Sequence, residues 1–264
     1  MTAAAGIGCC PRGSGVRWGR PIIARAANAV RPSPALLVNP TLGVLMLDTR
    51  FPRVVGDIGH PGTFAFPVRY ATVRGASPRR VVVERDPRLV APFVAAAREL
   101  EDEGVAAIAT SCGFLAVFQR ELAASVAVPM WTSSLLLVAE LEAGLAAGER
   151  VGVVTADAAS LTADHLRAVG ARDDTPIEGL ALDSRFRATL LDDLDTLDEG
   201  EARRATVAAA ERLVERRPHV RAIVLECTNL PPYADAVRDA TGLPVHDITT
   251  LVRSRFGTAT KAMA

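Results

Sequence analysis

Two cysteines stand at matched places along the chain. The stretch AIATSCGFLAVFQRELAASVAVP ends at Pro129, and AIVLECTNLPPYADAVRDATGLP ends at Pro244. A constant offset of 115 residues pairs Ile108 with Ile223, Cys112 with Cys227, Leu115 with Leu230, Phe118 with Tyr233 and Pro129 with Pro244. Each half reads as strand, cysteine turn, helix and proline-containing strand. The spacing puts each cysteine just past the carboxyl end of a strand, at or near a helix start. Thiolates at helix N-termini have lowered pKa values, because the terminus carries partial positive charge. Two thiols facing each other across one cleft suit proton transfer at carbon: one removes a proton from one face and the other delivers one from behind. A single buried cysteine is ordinarily inert packing. Two in equivalent positions of a repeat, both at ligand-facing turns, read as function.

Other residues are weighed against plainer roles. Thr228 and Asn229 follow Cys227 directly and read as hydrogen-bonding a substrate carboxylate; the plainer role is helix capping. Asp48 polarises a neighbouring group, holds Thr49 in place, or is a simple turn acid. Glu226 is a second general base or a buried, hydrogen-bonded carboxylate. Thr155 ends a strand and is expected to face the cleft, and Ser160 is expected to cap the helix containing His165. His60, His165, His219 and His246 share no metal spacing, although His60 could lie at the cleft rim. Arg50 and Arg53 could attract an anion, but solvated loop charge is the default. Cys9 and Cys10 have no partner at zinc-ligand spacing and read as bystanders.

These residues need a frame, and the hydrophobic pattern supplies one. Gly43–Leu47, Val105–Ala109, Val128–Trp131, Val151–Thr155, Ala222–Leu225 and Leu243–His246 are short apolar runs that read as strands. Asp86-Pro87 opens a helix as N-cap and first residue; Leu89, Val90, Phe93, Ala97 and Leu100 follow at helical spacing, and Gly104 ends it. A second helix covers 202–216, with Val207, Ala210, Leu213 and Val214 inward. Apolar strands alternating with amphipathic helices indicate parallel sheets covered on both faces. Ligands in such sheets sit beyond the carboxyl ends of the strands. Gly43-Val44 also resembles Gly152-Val153 at an offset of 109. One duplication of about this length suggests two similar lobes rather than a solenoid.

The formal net charge is zero, with 30 basic and 30 acidic residues. The first 47 residues hold five of the bases and no acid, so the remainder is mildly acidic. That balance argues against a general nucleic-acid binder. No apolar run is long enough for a membrane helix, and four cysteines are too few for a disulfide scaffold. Residues 1–40 are Ala-, Gly-, Pro- and Arg-rich without a period, and read as a disordered leader or an extension from a misassigned start. Arg25 interrupts the only candidate secretory core; an organellar transit peptide is the alternative. The expected organisation is lobe 1 at 41–134 plus 249–264 and lobe 2 at 135–248.

At these residues the chain resembles the aspartate/glutamate racemase superfamily, over about residues 42–250. That group includes hydantoin racemases, maleate cis-trans isomerases and arylmalonate decarboxylases. Cys227-Thr228-Asn229-Leu230-Pro231 is similar to the family's Cys-Thr-(Glu or His)-x-Pro segment, and Asp48-Thr49 to its Asp-Ser pair. The first turn departs: amino-acid racemases have Cys-Asn-Thr where this chain has Cys112-Gly113-Phe114. Glu226 stands where Gly is usual. The resemblance implies an α/β fold of two pseudo-symmetric flavodoxin-like lobes, each with a parallel sheet flanked by helices, and an active site in the interlobe cleft. It implies an isomerase that racemises or epimerises a small carboxylate-bearing compound, free of pyridoxal phosphate and metal, with Cys112 and Cys227 as the acid/base pair. Asp48, Thr49, Gly113, Phe114, Thr155, Thr228 and Asn229 would then line the site. The missing Asn-Thr, with Gly113 leaving only its backbone N–H and Phe114 making the pocket more apolar, points away from glutamate or aspartate towards a ring-bearing or blocked substrate. A maleate-type isomerase or a decarboxylase is the alternative chemistry, and a non-catalytic ligand-binding protein the alternative class.

The expected partner is a small molecule, in a cytoplasmic protein that binds neither nucleic acid nor membrane. A homo-oligomer fits the family, although no exposed apolar stripe marks an interface. A chain beginning after residue 40 should fold and keep its activity, as read by thermal melting and by the assay given below.

Overall fold

The run LGVLML carries no polar side chain, and as β1 (Leu42–Leu47) all six of its residues are buried. Such a strand needs cover on both faces, which helices flanking a parallel sheet provide. The computed structural model describes residues 40–263, with side chains described as far as Gly257. The readings made for the leader, including Cys9 and Cys10, lie outside the described residues. The first sheet adds β2 (Val68–Val73), β3 (Ala107–Thr110) and β4 (Met130–Trp131) in the order β2-β1-β3-β4, all parallel. The second is built from β5 (Arg150–Thr155), β6 (Ile177–Gly179), β7 (Val220–Leu225) and β8 (Val245–His246) in the order β6-β5-β7-β8, again parallel.

The sequence repeat is a structural repeat down to register. Gly43 pairs with Ile108 as Gly152 pairs with Ile223, and Ile108 pairs with Met130 as Ile223 pairs with Val245. Beyond the strands the match continues: Ser111 N donates to Leu45 O, and Glu226 N donates to Val154 O. Ser111 and Glu226 are therefore counterparts, as are Cys112 and Cys227.

The helices follow local signals. Before α1 (Val90–Asp102), Asp86 accepts from Arg88 N and Pro87 opens a 3-10 turn. Gly104 follows the helix at φ +84°, a left-handed conformation that suits glycine. In α3 (Glu199–Arg216), Ala202, Thr206, Ala209, Ala210 and Leu213 are fully inward, while Val207 and Val214 pack half-buried at the edge. Thr162, not Ser160, caps α2 (Ala163–Ala168), exchanging bonds with His165 in a capping box. Ser160 instead donates to Asp157. Thr162 directly precedes the helix and offers its oxygen at the right offset, which Ser160 does not.

Two strands escaped the apolar pattern. Strand β2 (VRYATV) is an edge strand with only Val73 buried, and β6 is three half-buried residues. One apolar cluster spans the lobes, since Val151, Val153 and Val224 of the second sheet join the cluster built on β1 and β3, while Val154, Ile223, Leu225 and Leu213 belong to a second cluster in the second lobe. The last helix, α4 (Ile248–Met263), returns to the cluster on β1 and β3 with Ile248, Leu251, Val252 and Phe256. Among the described residues, no helix is long and apolar enough to cross a membrane.

The first strand of each lobe has a glycine under the covering helix. A Cβ on Gly152 would come within 2.7 Å of Leu213 Cδ2 and 3.1 Å of Val220 Cγ1, and one on Gly43 within 3.0 Å of Leu100 Cδ1. Gly152→Val should therefore overpack the helix against the sheet and cost about 1–3 kcal/mol, measured by urea unfolding. Alanine at Gly43, where the contact is looser, should cost less.

Candidate active site

The cysteine turns begin where β3 and β7 end. Cys112 precedes a 3-10 turn at Gly113–Phe118. Cys227 lies two residues beyond β7, and Leu230 N closes its turn by donating to Cys227 O. The paired turns of the two lobes meet, and both cysteines line one pocket. Its polar side is completed by Ser111, Gly113, Thr228 and Asn229, its apolar side by Leu47, Phe51, Val82, Phe114, Leu190 and Leu191. Phe114 is backed by the buried His165 ring in an edge contact at 5.4 Å. The pocket of the unliganded protein is small, about 30 Å³, against the ~10–15 Å³ one water requires.

Hydrogen bonds across the lobes fix this seam. Thr228 Oγ1 donates to Ser111 O at 2.6 Å, Ser134 Oγ to Leu225 O at 2.8 Å, and Asn229 Nδ2 to Asp57 Oδ2 at 2.5 Å. Asp57 is held in turn by Arg53 Nη1 at 2.9 Å and by Gly59 N at 2.7 Å. Cys227 Sγ donates to Asn229 Oδ1 at 3.4 Å. The polar side chains around the pocket are thus already engaged: Ser111 Oγ accepts from Leu47 N, Thr228 binds Ser111 O, and Asn229 binds both Asp57 and Cys227.

Glu226 lies under the pocket, fully buried. One carboxylate oxygen accepts from Thr155 Oγ1 at 2.5 Å, and Oε1 has no partner. A Cβ on Gly113 would collide with Oε1 and with the Glu226 carbonyl oxygen. The carboxylate therefore occupies the space a side chain at 113 would take. Burial pushes Glu226 up to about 7, with the Thr155 bond opposing it.

The expectation of acidified thiols is overturned. Burial, reinforced by Glu226, pushes Cys112 up to about 12, although the Phe114 and Leu115 N–H groups and Arg53 pull the other way. Cys227 is raised well above an ordinary thiol by burial and Glu226, with Cys112 and Asp57 adding to the shift. Two short turns do not outweigh loss of water around the sulfurs. Cys112 is the one with the nearby cation, so it ionises more readily.

Of the residues singled out from the sequence, Cys112, Cys227, Gly113, Phe114, Thr228 and Asn229 converge on the pocket. Three do not. Asp48 is exposed and accepts from Gly75 N. Thr49 accepts from Arg53 Nη2. Thr155 is fully buried beneath Glu226 rather than facing the cleft. Their neighbours Leu47 and Ala156 line the pocket instead. His60 lies outside the cysteine pocket, with its Nδ1 accepting from Gly62 N. Arg50 is exposed and bound to Asp193, whereas Arg53 is nearly buried against Asp57 and over the Phe51 ring. Sequence reasoning missed Asp57, Ser111, Phe51, Leu190 and Leu191. Arg53 and Asp57 share an (i, i+4) spacing, the one signal available for that pair.

Comparison with known proteins follows the same lines. The model of the Asp/Glu/Hydantoin racemase family matches residues 70–252. Dimethylsulfoniopropionate lyase 3 of Emiliania huxleyi is 34% identical over 232 residues, 82% of this chain and 59% of that protein, so the chain spans well under two thirds of that relative. A dimethylsulfoniopropionate lyase of Durusdinium sp. clade D is 32% identical over 224 residues, 78% of this chain and 71% of that protein. Among solved structures, unliganded arylmalonate decarboxylase superposes with TM-score 0.55 at 18% identity, covering 86% of this chain and 93% of that one. Glutamate racemase from Thermus thermophilus gives 0.53 at 19%, covering 85% and 81%. These two likenesses show the two-lobed fold.

The charge of Glu226 is open to a stability measurement. Its folded carboxyl binds a proton more tightly than an unfolded one, about 7 against 4.5. The folded state then holds more protons between those values, and stability falls as pH rises from about 4.5 through about 7. Glu226→Gln removes that loss. The melting temperature of the Gln variant relative to the natural chain should rise between pH 5 and pH 8.

Proposed function

The chain belongs to the Asp/Glu/hydantoin racemase family, and on that footing we propose that it is a lyase acting on a β-sulfonium carboxylate of the dimethylsulfoniopropionate type. It is an enzyme of a superfamily in which racemases and decarboxylases share the fold. The lyase reading is supported by the relatives at 32–34% identity. The observation that carries it is the pocket's chemistry. The polar side chains that line the pocket, Ser111, Thr228 and Asn229, are each bonded within the protein, and no carboxylate lines it; the unpartnered Glu226 oxygen lies beneath. A free amino acid would bring an ammonium group with three donors and meet no carboxylate in that lining, at the cost of a poorly paired buried charge. A sulfonium carries no N–H; its methyl groups need only apolar walls, which Leu47, Leu190, Leu191, Phe51 and Phe114 provide.

In this reaction Cys112, as thiolate, takes a proton from the carbon next to the carboxylate. The C–H electrons form the new double bond, the C–S bond breaks, and its pair leaves on sulfur as dimethyl sulfide, with acrylate remaining. Backbone N–H groups of the turns, Phe114 on one side and Asn229 on the other, act on the sulfurs and are the donors for the substrate carboxylate, whereas Leu115 N is already given to Cys112 O. Cys227 stays a thiol on the opposite wall. The step consumes a cation and an anion, so charge shrinks towards the transition state and a dry pocket favours it.

Headspace measurement of dimethyl sulfide after adding dimethylsulfoniopropionate tests this. Release should fall on the order of 10²-fold or more in Cys112→Ala. In heavy water, deuterium exchange next to the carboxylate of candidate amino acids or hydantoins, with no dimethyl sulfide from any sulfonium substrate, would favour the racemase reading instead. Tight binding with neither reaction would favour a binding protein.

A further inference from the structure

We infer that Glu226 is the internal proton acceptor of the site: it takes the thiol proton as the Cys112 thiolate forms, and it holds the proton that each turnover releases. This rests on the proton-abstraction reading above.

The fold does not require a carboxylate at this place. The counterpart of Glu226 in the first lobe is Ser111, which makes the same backbone bond to its own first strand. An acid where the repeat tolerates a hydroxyl, with one oxygen bonded to Thr155 and the other unpartnered in the interior, is costly. That free oxygen lies against Gly113, the residue after Cys112. The groups acting on it are few. Burial and the Thr155 hydroxyl set its ionisation, with no cation contributing. It in turn acts on Cys112 and Cys227, which also feel Arg53 and Asp57 from the first lobe.

Charge balance gives the role. Burial, and then the cost of a second anion beside an ionised Glu226, hold both thiols protonated. Moving the Cys112 proton onto Glu226 breaks an S–H bond, forms an O–H bond and leaves the site with one negative charge. The thiolate then takes the substrate proton, which restores the S–H bond as dimethyl sulfide departs. One proton more than at the start remains, on Glu226, because a zwitterion has become a neutral sulfide and an anionic acrylate. It passes to water before the next turnover. Burial holds the carboxyl near neutrality, so that release needs no extreme of pH.

Glu226 acts through Cys112, so the test is a pH profile. Dimethyl sulfide release (kcat/KM) and iodoacetamide alkylation of Cys112, followed by mass spectrometry, are measured from pH 5.5 to 9. The natural chain should level off above about pH 7, because the proton is handed to a group already ionised. Glu226→Gln has no such acceptor and depends on hydroxide, so its rates should climb about tenfold per pH unit through pH 9. Glu226→Asp should keep the levelling. Parallel profiles in the natural chain and Glu226→Gln overturn the proposal. Diverging alkylation profiles without any dimethyl sulfide leave the acceptor role standing and sink the lyase reading. If Glu226→Gln does not fold, Glu226→Asp decides: a plateau supports the role, and an unbroken climb overturns it.

Discussion

The site depends on a side chain that is absent. In the second lobe the position after the cysteine is Thr228, whose hydroxyl reaches across the seam to the Ser111 carbonyl. The equivalent place in the first lobe is Gly113, and the Glu226 carboxylate fills the room a side chain there would need. Each cysteine turn is thus packed against the residue preceding the other cysteine. That exchange closes the two turns onto one small pocket. The remaining bonds, Ser134 to Leu225 and Asn229 to Asp57, hold the closure from the flanks. A methyl group at 113 would collide with backbone as well as carboxylate, so the adjustment could not be confined to one flexible side chain.

The substitution that closes the seam also breaks its symmetry. A duplicated fold would give two equivalent thiols. Here a buried acid lies beneath both, a guanidinium acts on Cys112, and Asp57 acts on Cys227. The thiols are consequently unequal, and both are harder to ionise than free cysteine. Helix-terminus electrostatics explain little of this, because the turns are short and the sulfurs have lost most of their water. The chemistry of the site then turns on where a proton can go, more than on how acidic an isolated thiol is.

The parts of the fold that the sequence disclosed are those where local pattern and tertiary context agree. Buried central strands such as β1 and β7 are nearly pure apolar runs, and the Asp86-Pro87 start of α1 carries its own capping chemistry. The 115-residue repeat located the cysteine turns because register is conserved between the lobes. Edge strands β2 and β6 were not legible, since an edge faced by solvent does not demand an apolar run. The site divided in the same way. Residues adjoining the cysteines in sequence converge with them in space. Asp48, Thr49 and Thr155 were placed by strand ends alone, and whether a strand end faces inward or outward depends on the turn that follows. Asp57 and Arg53 could not be placed at all, because their loop is fixed by bonds to Asn229 in the other lobe.

The distribution of charge narrows how an anionic substrate can be held. Both arginines in the segment just after β1 are occupied: Arg50 binds Asp193, and Arg53 binds Asp57 while lying over Phe51. Zero net charge offers no long-range attraction either. The donors left for a carboxylate are backbone N–H groups of the cysteine turns, which are directional and carry no full charge. They suit a ligand whose own charges nearly cancel, because such a ligand loses less on leaving water than a bare anion does. A zwitterion without N–H donors meets that condition better than an amino acid does, since the latter adds an ammonium that no carboxylate in the pocket lining meets. The chemistry selected at the sulfurs and the selection made at the walls therefore rest on the same property, a pocket whose polar groups are spent on holding the two lobes together.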